Sequence, residues 1–328
     1  MTSSNLDIVA IGDAIVDVIA TCDDAFLAER GFAKGSMRLL TTDEARDLYG
    51  AMGPGREISG GSAANSMAGA AALGLNAAFV GQVADDQLGT IFAHDMRSLG
   101  VRFETPAISG PLPTGRCLIL VTPDAQRTMS TCPGASHELT AAALDAELIR
   151  SASITFLEGY LWGPERPRAA MLEAARIAHT ADRTVAFTLS ESLCLGDRRH
   201  GVMGMIEAGT VDILFGNEDE VRHLTGCGDF AQCIEALSKN VATVVITRGA
   251  QGAVAVERDY IVEVPAAPVG RIVDTTGAGD LFAAGFLAGR CRGRPLRGCL
   301  ETGATAAAEV ISHFGARPEA DLKELAGL

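Results

Sequence analysis

The chain has 328 residues and a formal net charge of -14 at pH 7, with 48% apolar and 21% charged residues. Such a balance suits one large globular α/β unit, or a domain with a smaller appendage, and argues against disorder. An acidic chain lacks the basic face that a nucleic-acid backbone or an anionic membrane requires, so neither is expected as a partner.

The eight cysteines are scattered and contain no C-x-x-C pair, which suits reduced thiols in a cytoplasmic protein and gives no zinc signature. The opening MTSSNLDIVAIGD lacks the basic region and apolar core of a signal peptide. LDIVAIGDAIVDVIA (6–20) is rich in Ile and Val and broken at Gly12, and reads as the first strand of a buried parallel sheet. The alanine-rich stretch 63–80, interrupted by Asn65, Ser66 and Asn76, reads as a helix over 63–74 and then a strand, not a membrane span. NAAFVGQVADDQLG (76–89) gives that strand, a turn and the start of a helix running to Leu99. TGRCLILVTPDAQRTMS (114–130) predicts a hairpin around TPDAQ.

Strand candidates SITFLEGYL, TVAFTLS, VDILFGN and VATVVITRG then alternate with helical stretches 164–180, 200–208 and 229–239. This rhythm predicts a doubly wound, mostly parallel central sheet with helices on both faces. With the hairpin it makes a single α/β domain over 1–328, carrying a small β-rich lid from about 14–50 and 105–135.

In open parallel sheets, ligands bind beyond the carboxyl ends of the strands. The polar residues there are Asp13 and Asp17, Asn217 and Glu220, Thr247 and Arg248, and the stretch DTTGAGDLF (274–282). Glycine inside a helix costs about 1 kcal/mol relative to alanine, so Gly277 and Gly279 at a helix start call for a reason. Without side chains they would let an anion approach the free N–H groups of the first turn, and Asp280 beside them could take a proton from an attacking hydroxyl. A capping box needs a spacing of three, whereas Thr276 and Asp280 are four apart. Thr275 or Thr276 remains available as a plain N-cap.

Other motifs admit two readings. In REISGGSAANSMAGAAALG (56–74), Gly60 and Gly61 lead into a helix with Asn65 one turn in. Glycines permit close approach and an asparagine amide can meet a polyol or ribose, or the stretch is a tight turn with small residues for helix packing. Asp13 and Asp17 suit a sugar diol or are strand-end carboxylates in water. In FGNEDEV (215–221), Asn217 and Glu220 suit magnesium waters or phosphate, or cap a helix with acids in its first turn. VVITRGAQGAVAV (244–256) would also pass as a structural hairpin. No P-loop and no G-x-G-x-x-G after a strand is present. Trp162, the histidines, Cys227 and Cys233 suggest core or surface, not a site.

Together these residues resemble the PfkB family of carbohydrate and nucleoside kinases, with its ribokinase-like fold. GGSAANSMAGAAALG is similar to the family's N-terminal signature and DTTGAGDLFAAGF to its C-terminal one, and the segments agree in order from about residue 6 to 318. The resemblance implies ATP-dependent phosphorylation of a hydroxymethyl group. It makes Asp280 the catalytic base, Gly277, Ala278 and Gly279 the anion hole, and Asp13, Asp17, Gly60, Gly61 and Asn65 the substrate contacts. It puts Arg127, Asn217, Glu220, Thr247, Gly249 and Gly252 at ATP and its phosphates. Asn217 and Glu220 would reach Mg2+ through water, while Asp274 and Thr276 would hold a monovalent cation such as K+, with carbonyls near 310–315.

Within the family, GGSAANS and AQRTMST resemble the adenosine kinases most, which implies transfer to the 5'-hydroxymethyl of adenosine by a monomer or homodimer. Asp13 departs from the asparagine usual there, and D-x-N-x-R is absent from TLSESL (188–193), which argues against a simple fructokinase. A sugar kinase acting on ribose, fructose or a keto-sugar, and a non-catalytic nucleotide- or sugar-binding protein, are the alternatives.

Overall fold

A computed structural model describes residues 6–124, 126–190, 198–258 and 260–328. Residues 191–193 of TLSESL and Ala125 of the hairpin turn lie outside them.

The strands are β1 (Leu6–Ile11), β2 (Ile15–Thr21), β3 (Met37–Leu39), β4 (Arg56–Gly60), β5 (Ala77–Val80), β6 (Arg102–Phe103), β7 (Gly115–Val121), β8 (Arg127–Cys132), β9 (Ala152–Glu158), β10 (Thr184–Thr188), β11 (Ile213–Asn217), β12 (Thr243–Thr247), β13 (Ala253–Glu257) and β14 (Tyr260–Val264). The helices are α1 (Asp24–Glu29), α2 (Thr42–Ala51), α3 (Ser62–Ala72), α4 (Gln87–Ser98), α5 (Ala146–Ser151), α6 (Glu165–Thr180), α7 (Arg199–Glu207), α8 (Glu218–Thr225), α9 (Phe230–Ser238), α10 (Ala278–Cys291), α11 (Leu296–Val310) and α12 (Leu322–Leu325).

The central sheet has the order β14-β13-β12-β11-β10-β9-β1-β5-β6. It is parallel from β12 through β6, and β13 and β14 add an antiparallel edge. Both faces are covered, which is why its strands read as continuous apolar runs. Along β1 the side chains alternate between two cores: Ile8 and Ala10 pack with Phe286 of α10 and Leu300 of α11, whereas Val9 and Ile11 pack with Ala174 of α6 and Val202 of α7. The predicted doubly wound α/β class is the observed one. No helix of the described residues is long and apolar enough to cross a membrane.

A second sheet has the order β3-β8-β7-β2-β4, and the predicted hairpin is its antiparallel pair β7–β8. Two expectations need correction. The stretch 6–20 is not one interrupted strand, because β1 ends at Ile11 in the central sheet and β2 starts at Ile15 in the smaller one. The crossing falls at Gly12, where a Cβ would lie 2.4 Å from Glu158 Oε2 and 2.5 Å from Ala63 Cβ. The smaller sheet also takes in β4, which lies outside the expected 14–50 and 105–135. Its antiparallel pairing with β2 sets Gly60 opposite Ile15, so the sheet runs directly into the start of α3.

Candidate active site

The start of α10 is built differently from an ordinary capped helix. Its N-cap is Gly277, at φ 78°, with no side-chain cap, so neither Thr275 nor Thr276 serves as the N-cap. The Thr276 hydroxyl donates instead to Asp274 Oδ1 at 2.8 Å, and the Thr276 N–H reaches the same oxygen at 3.0 Å. Gly277 needs the left-handed conformation, and a Cβ there would also lie 2.6 Å from Ala316 Cβ. The Ala278 N–H turns to the Thr275 carbonyl at 3.2 Å, whereas the N–H groups of Gly277, Gly279 and Asp280 meet no acceptor among the described residues. A Cβ on Gly279 would meet nothing within 4 Å. Packing within the protein therefore does not require glycine there, while the open space and free N–H groups suit an approaching anion.

Asp280, in the first turn of α10, is gripped by the first turn of α3. Ser62 Oγ donates to Oδ1 at 2.6 Å and Asn65 Nδ2 to Oδ2 at 2.8 Å. The two helices approach closely at Gly69, where a Cβ would lie 2.5 Å from Leu281 Cδ1. Burial raises the Asp280 pKa, opposed by the bonds from Ser62 and Asn65 and by the charge of Arg317. A carboxylate so placed is a stronger base than a free aspartate.

Asp17 of β2 lies against the Gly60 α-carbon, where a Cβ would be 2.4 Å from its Oδ1. Burial pushes its pKa up to about 6, opposed by Arg317 and Arg127 and reinforced by Asp280. Gly61, the N-cap of α3 at φ 95°, backs onto the Asp13 carbonyl, 2.3 Å from where its Cβ would stand. The Asp13 carboxylate accepts from Ser136 Oγ at 2.7 Å. Burial raises its pKa, with His137 and Ser136 acting the other way. Asp13, Asp17, Gly60, Gly61, Asn65 and Asp280 thus form one neighbourhood.

Arg127 at the start of β8 makes a buried ion pair with Asp274 at 2.8 Å, with side chains 10% and 6% exposed, and donates to Thr276 Oγ1 at 3.0 Å. Asp274 Oδ2 also accepts the Gly315 N–H at 2.8 Å. Four protein donors thus occupy this carboxylate. The Thr276 carbonyl, by contrast, accepts no bond among the described residues.

Asn217 and Glu220 form a reciprocal capping box at the start of α8, each bond 2.8 Å. Both remain hard oxygen donors at the carboxyl end of β11, where Asn217 is in register with Thr247 of β12. Gly252, at φ 89°, is required by the fold, because a Cβ there would meet the Val264 carbonyl at 2.0 Å; Gly249, at φ 54°, faces open space. Arg248 pairs with Glu218 at 2.9 Å and lies over the Phe230 ring.

Sequence reasoning missed three residues. Glu158, fully buried, accepts the N–H groups of Asp13 at 3.2 Å and Ala63 at 3.0 Å, joining the end of β1 to the start of α3. Burial, reinforced by Asp13, raises its pKa well above the usual carboxylate range. It ends the apolar run SITFLE, so the strand-end rule that selected Asp13 could have found it. Ser62 lay within a quoted motif without a role. Arg317 donates to Asn65 Oδ1 at 2.5 Å and carried no local signal at all.

A family model described as pfkB family carbohydrate kinase matches residues 5–322. The solved structure of an adenosine kinase from Sinorhizobium meliloti is 45% identical, with a TM-score of 0.92 over 99% of each chain. A probable sugar kinase from Rhizobium etli CFN 42 is 41% identical, with a TM-score of 0.92 over 98% of each chain. A ribokinase of Arabidopsis thaliana is 27% identical over 276 residues, 80% of this chain and 70% of the relative.

Proposed function

The chain belongs to the pfkB family of carbohydrate kinases, and from that premise we propose that it transfers the terminal phosphoryl group of ATP to the 5'-hydroxymethyl of a nucleoside, adenosine foremost. The observation that carries the reading is Asp280, held by Ser62 and Asn65 beside the amides of Gly277 and Gly279, which meet no acceptor among the described residues.

Asp280 takes the proton of the attacking hydroxyl, and the amides at the start of α10 receive the oxygens of the transferred group, with the helix dipole aligned toward them. Asp17 and Asn65 hold the substrate's hydroxyls. Asp13, Gly60 and Gly61 shape the same wall. Arg127, Thr247 and Gly249 lie on the ATP side, with Gly252 fixing the turn. Magnesium bound with ATP would neutralise phosphate charge, and Asn217 and Glu220 would hold it through water. The smaller sheet carries Asp17, Gly60 and Arg127 into the site, and we read it as the lid that excludes water. The seven described cysteines are free thiols, which suits action in the cytoplasm.

Adenosine is favoured by 45% identity along nearly the whole chain to the Sinorhizobium meliloti adenosine kinase. A sugar substrate is the second reading, favoured by the comparably similar probable sugar kinase. ADP release from ATP across adenosine, other nucleosides, ribose and fructose decides between them. Turnover with a free sugar and none with adenosine would reverse the order, and ligand-induced thermal stabilisation without any turnover would favour a binding protein.

A further inference from the structure

Three successive residues after α11 touch three separate parts of the site. The Gly315 N–H donates to Asp274 at 2.8 Å, Ala316 packs on Gly277, and the Arg317 guanidinium reaches Asn65. Arg317 is the least expected, because it sits 252 positions from Asn65 along the chain and binds two elements at once. One nitrogen donates to Asn65 Oδ1 at 2.5 Å, and the other to the Ser59 carbonyl at 2.6 Å and the Ser59 hydroxyl at 3.0 Å. Ser59 belongs to β4 and is itself tied by its N–H to Asp95 of α4 at 2.9 Å.

This arrangement leaves the Asn65 amide a single orientation. A guanidinium only donates, so the atom facing it must be the carbonyl oxygen; an ionised carboxylate only accepts, so the atom facing Asp280 must be the nitrogen. Flipping the amide would oppose two donors on one side and two acceptors on the other. With one lone pair of its oxygen committed to Arg317 and one N–H to Asp280, Asn65 offers a substrate its second N–H. A hydroxyl accepting that N–H must send its own proton elsewhere, and Asp17 and Asp280 are the acceptors at hand.

We propose that Arg317 is a positioning residue for phosphoryl transfer, locking Asn65 so that its nitrogen faces Asp280 and the substrate hydroxyl meets a donor at Asn65 and an acceptor at the aspartates. The proposal rests on the kinase reading above, with Asp280 as base. The donors Ser62 and Asn65 of α3 and the cation Arg317 act on Asp280, whose own charge in turn raises the pKa of the acidic Asp17 of β2 and Glu158 of β9. Arg317 is thus the positive charge among them, and its removal disfavours the ionised base.

The test compares wild type, Arg317→Gln and Arg317→Lys in kcat, KM for ATP and the pH profile of kcat. In parallel, the Asp280 carboxyl is titrated by carbon-13 NMR in ligand-free protein. Arg317→Gln is expected to lower kcat by about 10- to 100-fold, the scale of a misplaced catalytic group, with KM for ATP retained. The acid limb of the profile and the Asp280 midpoint should move together to higher pH. Arg317→Lys keeps the charge but cannot span Ser59 and Asn65, so its midpoint stays near wild type while part of the rate is lost. This variant also keeps the test open if Arg317→Gln does not fold. An unmoved midpoint in Arg317→Gln, or a wild-type rate in Arg317→Lys, overturns the proposal, even if thermal stability falls. If wild type phosphorylates no acceptor, the kinase reading fails separately, and the NMR midpoint still decides whether Arg317 acts on Asp280.

Discussion

Asn65 Nδ2 stands 2.8 Å from Asp280 Oδ2, joining two residues 215 positions apart at the first turns of two packed helices. Each turn begins after a glycine with positive φ, Gly61 and Gly277, and neither has a side-chain cap. The site is therefore a meeting of two helix N-termini: in α3 the Ala63 N–H goes to Glu158, while in α10 the N–H groups of Gly279 and Asp280 meet no acceptor among the described residues.

Gly279 separates function from packing. A methyl group there meets nothing within 4 Å, and alanine in the first turn of a helix gains about 0.5–1 kcal/mol over glycine. Gly279→Ala should therefore raise the melting temperature slightly yet lower kcat/KM for ATP by at least about tenfold, because the added methyl occupies the space an anion needs. Calorimetry and steady-state kinetics on one preparation check both halves.

Asp17 makes stability depend on pH in an unusual direction. Its folded pKa, about 6, lies above the ordinary 3.8, so the folded state binds the proton more tightly than the unfolded state. Its contribution is favourable below about pH 4 and is lost as pH rises through 6. Asp17→Asn should remove that loss, adding about 1–2 kcal/mol at pH 7 once solvent screening of a half-buried group is counted. Urea melts at pH 4, 5, 6 and 7 should show the wild-type and variant curves diverging upward in pH. The same variant should raise the KM for the phosphate acceptor.

The Arg127–Asp274 pair is nearly sealed from water, and breaking such a pair from one side costs about 3 kcal/mol or more. Arg127→Met should destabilise by about that amount, at the low end because Thr276 and Gly315 still donate to Asp274. Adding Asp274→Asn should recover part of the loss. A double-mutant cycle by denaturant unfolding measures the coupling.

The legible parts of the molecule were those whose chemistry is local. The β-α-β rhythm gave the central sheet because strands buried on both faces form unbroken apolar runs. Two glycines and an aspartate within nine residues drew attention to α10. Gly12 marked a break, but the pattern on either side of it is equally apolar, so nothing local said that the chain changes sheets there. β4 was absorbed into the motif that follows it, because REISG carries no strand signal stronger than the pair Gly60 and Gly61 at its end. Glu158, Arg317 and the commitment of Asp274 to Arg127 depend on contacts between distant segments, which no spacing rule reports. The capping role of Asn217 and Glu220 was visible in sequence as an alternative, and the geometry gives them that role.

The central claim is that Asp280 takes the substrate proton, and kcat of Asp280→Asn tests it most directly. Asparagine keeps the shape and, by turning its amide, can keep one of the two bonds to Ser62 and Asn65, so thermal stability and ATP affinity should stay near wild type. The account predicts a fall in kcat of about 10^2- to 10^4-fold, the range of a general base. A near-wild-type kcat in the folded variant would contradict it.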